Sequence, residues 1–166
     1  MNRMKRMKIV FFIYIAVVVK VIIFKYPWAE LQAIMAGWEK DVILEGLDTA
    51  NFTLFKTIKM YIKYSYMLNS FENLVGNVVV FIPFGFLLPY IQPRCRRFMA
   101  LLANAFLFVV GIEVFQLFSA FGAFDVDDIL LNCVGAAFGW IAYVEWEAFR
   151  KKRKERQKMQ GQKIRG

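Results

Sequence analysis

Histidine is missing from all 166 residues of this chain. With it go the commonest metal ligand, the usual general base near neutral pH and every mechanism of the Ser-His-Asp type. No arginine falls in the outer half of the apolar segments described below, so nothing there grips a phosphate in bidentate fashion. No known nucleophile motif occurs, and no repeat relates the first helix pair to the second, as alternating access would favour. A small-residue cleavage pattern is also absent after the first apolar run. Pro27-Trp28-Ala29 is a poor site, so that run reads as a retained anchor and not as a signal peptide.

What the chain does have is four apolar runs, 9–24, 74–91, 98–121 and 129–146. Each is near the ~20 residues a helix needs to cross a ~30 Å hydrocarbon layer. Lipid offers the backbone no hydrogen bonds, so each run must satisfy its own peptide groups as a helix. The expectation is an all-α integral membrane protein with four transmembrane helices. Arg3, Lys5, Arg6 and Lys8 precede the first run, Arg94, Arg96 and Arg97 fill the second connection, and Arg150 to Arg156 follow the fourth. The third connection carries Asp125, Asp127 and Asp128 with no base. Lysine and arginine are retained in the cytoplasm, which puts both termini inside and two connections outside.

A membrane domain over 1–148, with an outer loop at 25–73, is therefore followed by a basic cytoplasmic tail at 149–166. The net charge of +9 does not point to nucleic acid, because the bases flank apolar spans or collect in the tail. Retention and attraction to anionic lipid account for them. Cys95 falls inside and Cys133 near the outer end of the fourth span, so no bridge joins them.

The outer loop is amphipathic. Trp28, Leu31, Met35 and Trp38 recur at helical spacing, as do Phe55, Ile58, Tyr61 or Ile62 and Tyr66, with Lys56, Lys59 and Lys63 on the other side. Such helices lie in the interface, rings toward lipid and ammonium groups toward phosphate. An aromatic belt explains the pattern without any ligand.

Placing each polar residue by depth, at 1.5 Å of rise per residue, gathers them in the outer half. Asn73 and Asn77 sit in the first turns of the second span, Glu113 and Gln116 near the outer end of the third, and Asn132 roughly 6 Å into the fourth. Lys20 of the first span reaches a similar layer. An ionised Glu113 facing lipid would cost at least ~2.5 kcal/mol, so it should turn inward, with Gln116 and Asn77 as hydrogen-bond donors; Lys20 either pairs with it or snorkels outward past Phe24. Asn73 and Asn77 suit interhelical hydrogen bonding as well as they suit a site. One of Asp125 or Asp127 is expected to cap the fourth helix. Gly135 and Gly139 form a GxxxG on the Asn132 face, for a neighbouring helix or a second copy of the chain. Pro83, followed by Gly85, should kink the second span and free the carbonyl of Val79, with a pocket opening beneath Asn77.

Three blocks resemble the VanZ family of small bacterial membrane proteins, named for a member associated with teicoplanin resistance. They are Asn51-Phe-Thr-Leu-Phe55-Lys-Thr-Ile58, then Asn77-Val-Val-Val-Phe81-Ile-Pro83-Phe-Gly85, then Glu113-Val-Phe-Gln116 with Asp125, Asp128, Asn132, Gly135 and Gly139. The chain departs from the family at Leu54, where proline is usual, and at Phe124, where a polar group is frequent. The resemblance implies a multi-pass protein of the bacterial cell membrane that lowers susceptibility to lipoglycopeptides. The residues fit a non-catalytic protein that binds a lipid, a lipid-linked cell-wall precursor or the drug's acyl tail through Asn77, Glu113, Gln116, Asp125, Asp128, Asn132 and Lys20. The alternative is an enzyme on such a lipid, with Glu113 and Asp128 as acid and base. Asp125, Asp127 and Asp128 are all-oxygen candidates for a hard cation, though not at EF-hand spacing. No cofactor is expected.

Overall fold

Lipid cannot bond to peptide groups, so apolar runs of this length resolve as helices, and the computed structural model places them with their outer connections. It describes residues 3–23, 29, 32, 35–37, 41–64, 68–119 and 121–163. The helices are α1 (Arg3–Ile23), α2 (Asp41–Thr49), α3 (Lys56–Lys63), α4 (Leu68–Ile91), α5 (Phe98–Ser119) and α6 (Val126–Lys163), with a 3-10 turn at Pro93–Arg96 between α4 and α5. Among the described residues the only β pairing is an isolated parallel bridge between Asn51 and Asp125.

Three helical stretches are long and apolar enough to cross a membrane: Glu72–Ile91, Phe98–Ser119 and Val126–Gln160. The first expected span is helical through Ile23, within α1; it carries Lys20, and Arg3, Lys5, Arg6 and Lys8 precede it in the same helix. The α4 helix begins ahead of its apolar run because Asn73 and its neighbours extend it outward. In the same way α6 continues past Trp146 through the basic tail as one helix. Trp28, Leu31, Trp38 and Tyr66, which carry the loop's expected periodicity, lie outside the described residues. The second amphipathic stretch forms as the short α3, with Lys56, Lys59 and Lys63 exposed.

The most extensive contact joins α4 and α6, which run parallel. Asn77 meets Asp128 near the start of both helices, and Tyr90 meets Glu147 toward the other end. Glycine makes that contact possible. A Cβ added at Gly135 would lie 2.0 Å from the carbonyl oxygen of Val78, one at Gly139 1.9 Å from that of Ile82, and one at Gly85 1.9 Å from that of Ala136. The helices therefore touch backbone to backbone. The GxxxG face is met by α4 of the same chain.

Antiparallel to this pair, α5 offers a stripe at four-residue spacing, Leu101, Ala105, Val109 and Glu113, buried along its length. On the other flank, α1 meets α4 and no other described helix. Phe11 packs on Phe84, and the Tyr14 hydroxyl donates to the carbonyl oxygen of Val80 at 2.9 Å. That bond lies next to the carbonyl that Pro83 deprives of its partner. The α4 helix runs through both Pro83 and Pro89 without a break. Beside Asn77, the Val78 carbonyl and the Phe81 side chain close against Gly135.

Candidate functional site

The connection between α5 and α6 is knitted to the segment from Asn51 to Ile58 by Asp125 and Asp127, and Asp128 ties it to α4. Asp125 caps α6: its carboxylate accepts the N–H of Asp127 at 2.8 Å, two residues on, where a helix start has a free donor. The same carboxylate accepts from the Asn51 amide at 2.8 Å and from the Thr57 hydroxyl. Asn51 also donates its side chain to Thr57 at 3.0 Å, and its backbone pairs with Phe124 and Val126 across the bridge.

Asp127 caps a different helix. Its buried carboxylate accepts the N–H groups of Phe55, Thr57 and Ile58, the free donors at the start of α3. An anion there also meets the positive end of the helix dipole. Phe55 is held at φ 65°, a left-handed conformation that costs a non-glycine residue about 1–2 kcal/mol. Three bonds to one carboxylate sustain it.

Asp128 accepts from the Asn77 amide and so ties the start of α6 to α4. Tyr61 of α3 stands beside it. Burial, then the Asp128 carboxylate, push the Tyr61 phenol above its usual range, a hydrogen bond with Asn73 draws it back, and Asp125 adds a further push upward. Glu113, only 2% exposed, accepts the N–H of Asp125 at 3.0 Å. Glu113, Asn77, Asp125 and Asp128 are thus joined across α4, α5 and α6 in one layer.

Other expected members lie elsewhere. Lys20 is exposed on α1, which touches neither α5 nor α6, and it makes no salt bridge among the described residues; the pairing with Glu113 does not form. Gln116 packs against Gly122, where a Cβ would lie 2.9 Å from its amide. Asn132 is buried on α6 a turn below Asp128. No trio of His, Cys, Asp or Glu side chains among the described residues is placed to hold a metal ion. As an acid and base pair, Glu113 and Asp128 are directed to different partners, the Asp125 backbone and Asn77.

Three participants escape a search restricted to membrane depth: Asn51, Thr57 and Tyr61. Asn51 carried one usable signal, a side chain two residues ahead of a turn, where its oxygen accepts the N–H of Thr53 at 3.0 Å. Glu113, Asp127, Asn51 and Thr57 are buried, whereas Asp125, Tyr61, Asn77 and Asp128 are half-buried and Asn73 is exposed; Tyr61, Asn73, Asn77 and Asp128 form the edge of the layer.

A family model described as VanZ/LLP1 matches residues 11–149. The chain is 34% identical over 76 residues to Protein VanZ of Enterococcus faecium, a match that covers 45% of each chain. The chain thus matches less than half the length of this curated relative. No solved structure matches.

Proposed function

The chain belongs to the VanZ/LLP1 family, and we propose that it lowers bacterial susceptibility to lipoglycopeptides such as teicoplanin by binding, without catalysis, at the outer-leaflet polar layer. In this reading α1 is the fourth span, both termini are cytoplasmic, the segment 25–73 lies outside, and the protein resides in the bacterial cell membrane. The ligand is a lipid-linked cell-wall species or the drug's acyl tail with its attached polar groups. An edge made of the Asp128 carboxylate, two asparagine amides and the Tyr61 phenol suits hydroxyl, amide and ammonium groups better than a phosphate.

The observation that carries this is Glu113, a carboxylate buried in an apolar helix stripe at the depth where α4, α5 and α6 all offer polar groups. Its cost in a membrane is offset only if it organises something. The test is expression in a susceptible Gram-positive host with measurement of the teicoplanin inhibitory concentration. Wild type should raise that concentration, and Glu113→Gln should return it to the host's level with undiminished protein in the membrane fraction. Full protection from the mutant would remove the site, and none from wild type would remove the lipoglycopeptide assignment.

A further inference from the structure

At the end of the bundle opposite the aspartates, α1 and α6 both flank α4 but do not meet each other. The slot between them is lined by Met7 of α1, Phe86 and Tyr90 of α4, and Trp146 and Arg150 of α6. Its floor is apolar and aromatic. Its rim is not: Glu147 accepts from the Tyr90 hydroxyl at 2.9 Å and from the Arg150 guanidinium at 2.8 Å, which fixes the arginine at the mouth. Lys151 and Lys154 stand exposed on the next turn and beyond. Glu147 is the carboxylate that Tyr90 and Arg150 share, and Glu145 lies exposed on the neighbouring surface.

We propose that this α1/α6 slot is a binding site for an anionic phospholipid, its upper acyl carbons against Phe86, Met7 and Trp146 and its phosphate on Arg150 and the adjacent lysines. In a bilayer an apolar slot between two helices is filled by hydrocarbon, since an empty one forfeits its dispersion contacts. The headgroup that accompanies the chain then meets one guanidinium held in place and two ammonium groups. A guanidinium with one face engaged still offers a phosphate further donors in a planar fork. Tyr90 and Trp146 place their polar tips where ring residues favour the headgroup level. Assignment to the cytoplasmic leaflet rests on the orientation proposed above; the binding itself does not.

The experiment is native mass spectrometry of the full chain in detergent, titrated with phosphatidylglycerol or with phosphatidylcholine bearing the same acyl chains. Wild type should retain one phosphatidylglycerol in preference to phosphatidylcholine. Arg150→Gln should weaken phosphatidylglycerol roughly tenfold and erase the preference, whereas Lys158→Gln, which removes the same charge from the exposed tail, should leave it intact. Trp146→Ala keeps every charge and should weaken both lipids. Equal retention of the two lipids by wild type, equal losses in Arg150→Gln and Lys158→Gln, or unchanged binding in Trp146→Ala would each overturn the site. Because the readout is taken in detergent, its failure is separable from a failure of the orientation, which labelling in cells reads on its own.

Discussion

Asp127 is fully buried in a membrane protein and bonded to three backbone donors of a helix that is not its own. Removing it strands those N–H groups, each costing about 1–3 kcal/mol where water cannot replace the partner. Asp127→Ala is therefore expected to lower the thermal midpoint of the purified protein in detergent and to make the 51–64 segment the first site of limited proteolysis. Thr53→Ala, at an exposed position, should do neither. Tyr61 yields a pH prediction. Its phenol is held protonated in the fold beyond the range where it would ionise when unfolded. The stability from that proton is complete below about pH 10 and is lost as pH rises from there through the raised folded value. An ultraviolet phenolate titration of wild type minus Tyr61→Phe should show the late-ionising tyrosine, and Asn73→Ala, by removing the one bond that lowers it, should delay ionisation further. Asp127 was visible in the sequence as one of three aspartates able to cap a helix. Which helix it caps was not visible, because its donors lie 69 to 72 residues away in the chain.

The α4–α6 pair shows at the level of elements how glycine replaces side-chain packing. Gly85, Gly135 and Gly139 each have a backbone carbonyl where a Cβ would be, so even alanine forces the helices apart. Overpacking of this kind costs about 1–3 kcal/mol, more where the obstacle is backbone. Gly76 and Gly111 have nothing within 4 Å of such a Cβ. Alanine scanning of all five, read by thermal unfolding in detergent, should separate three destabilised variants from two that are neutral or slightly stabilised by helix propensity. The sequence marked Gly135 and Gly139 as a close-approach face but left its occupant open. At Pro83 the ring predicts a kink that frees the Val79 carbonyl; α4 stays helical through it, and the Tyr14 hydroxyl donates to the neighbouring Val80 carbonyl.

Over the whole molecule, the start of α1, the α4–α5 connection and the far half of α6 share one end, as the contacts of Met7, Tyr90, Trp146 and Arg150 and the Trp140 bond to the Arg96 carbonyl attest. The bases that precede α1's apolar stretch, those of the α4–α5 connection and those of the tail gather there; the three aspartates lie at the other end, together with Lys56, Lys59 and Lys63 of α3. A cysteine placed by Thr53→Cys should react with a membrane-impermeant maleimide in intact cells, and one placed by Gln160→Cys only after the membrane is opened; the reverse pattern would invert the protein. Helix type and the place of Glu113 at the aspartate end of its helix follow from the sequence, because an apolar run of this length must satisfy its own peptide groups whatever its neighbours; helix length does not, since α4 and α6 extend beyond their apolar runs. Which polar groups touch was decided by the tertiary structure alone. Asp127 reaching α3, Asn51 reaching Asp125 and Lys20 left outside the layer all depend on how helices rotate and dock, and that is set by backbone approach at glycines and by donors that lie far away along the chain.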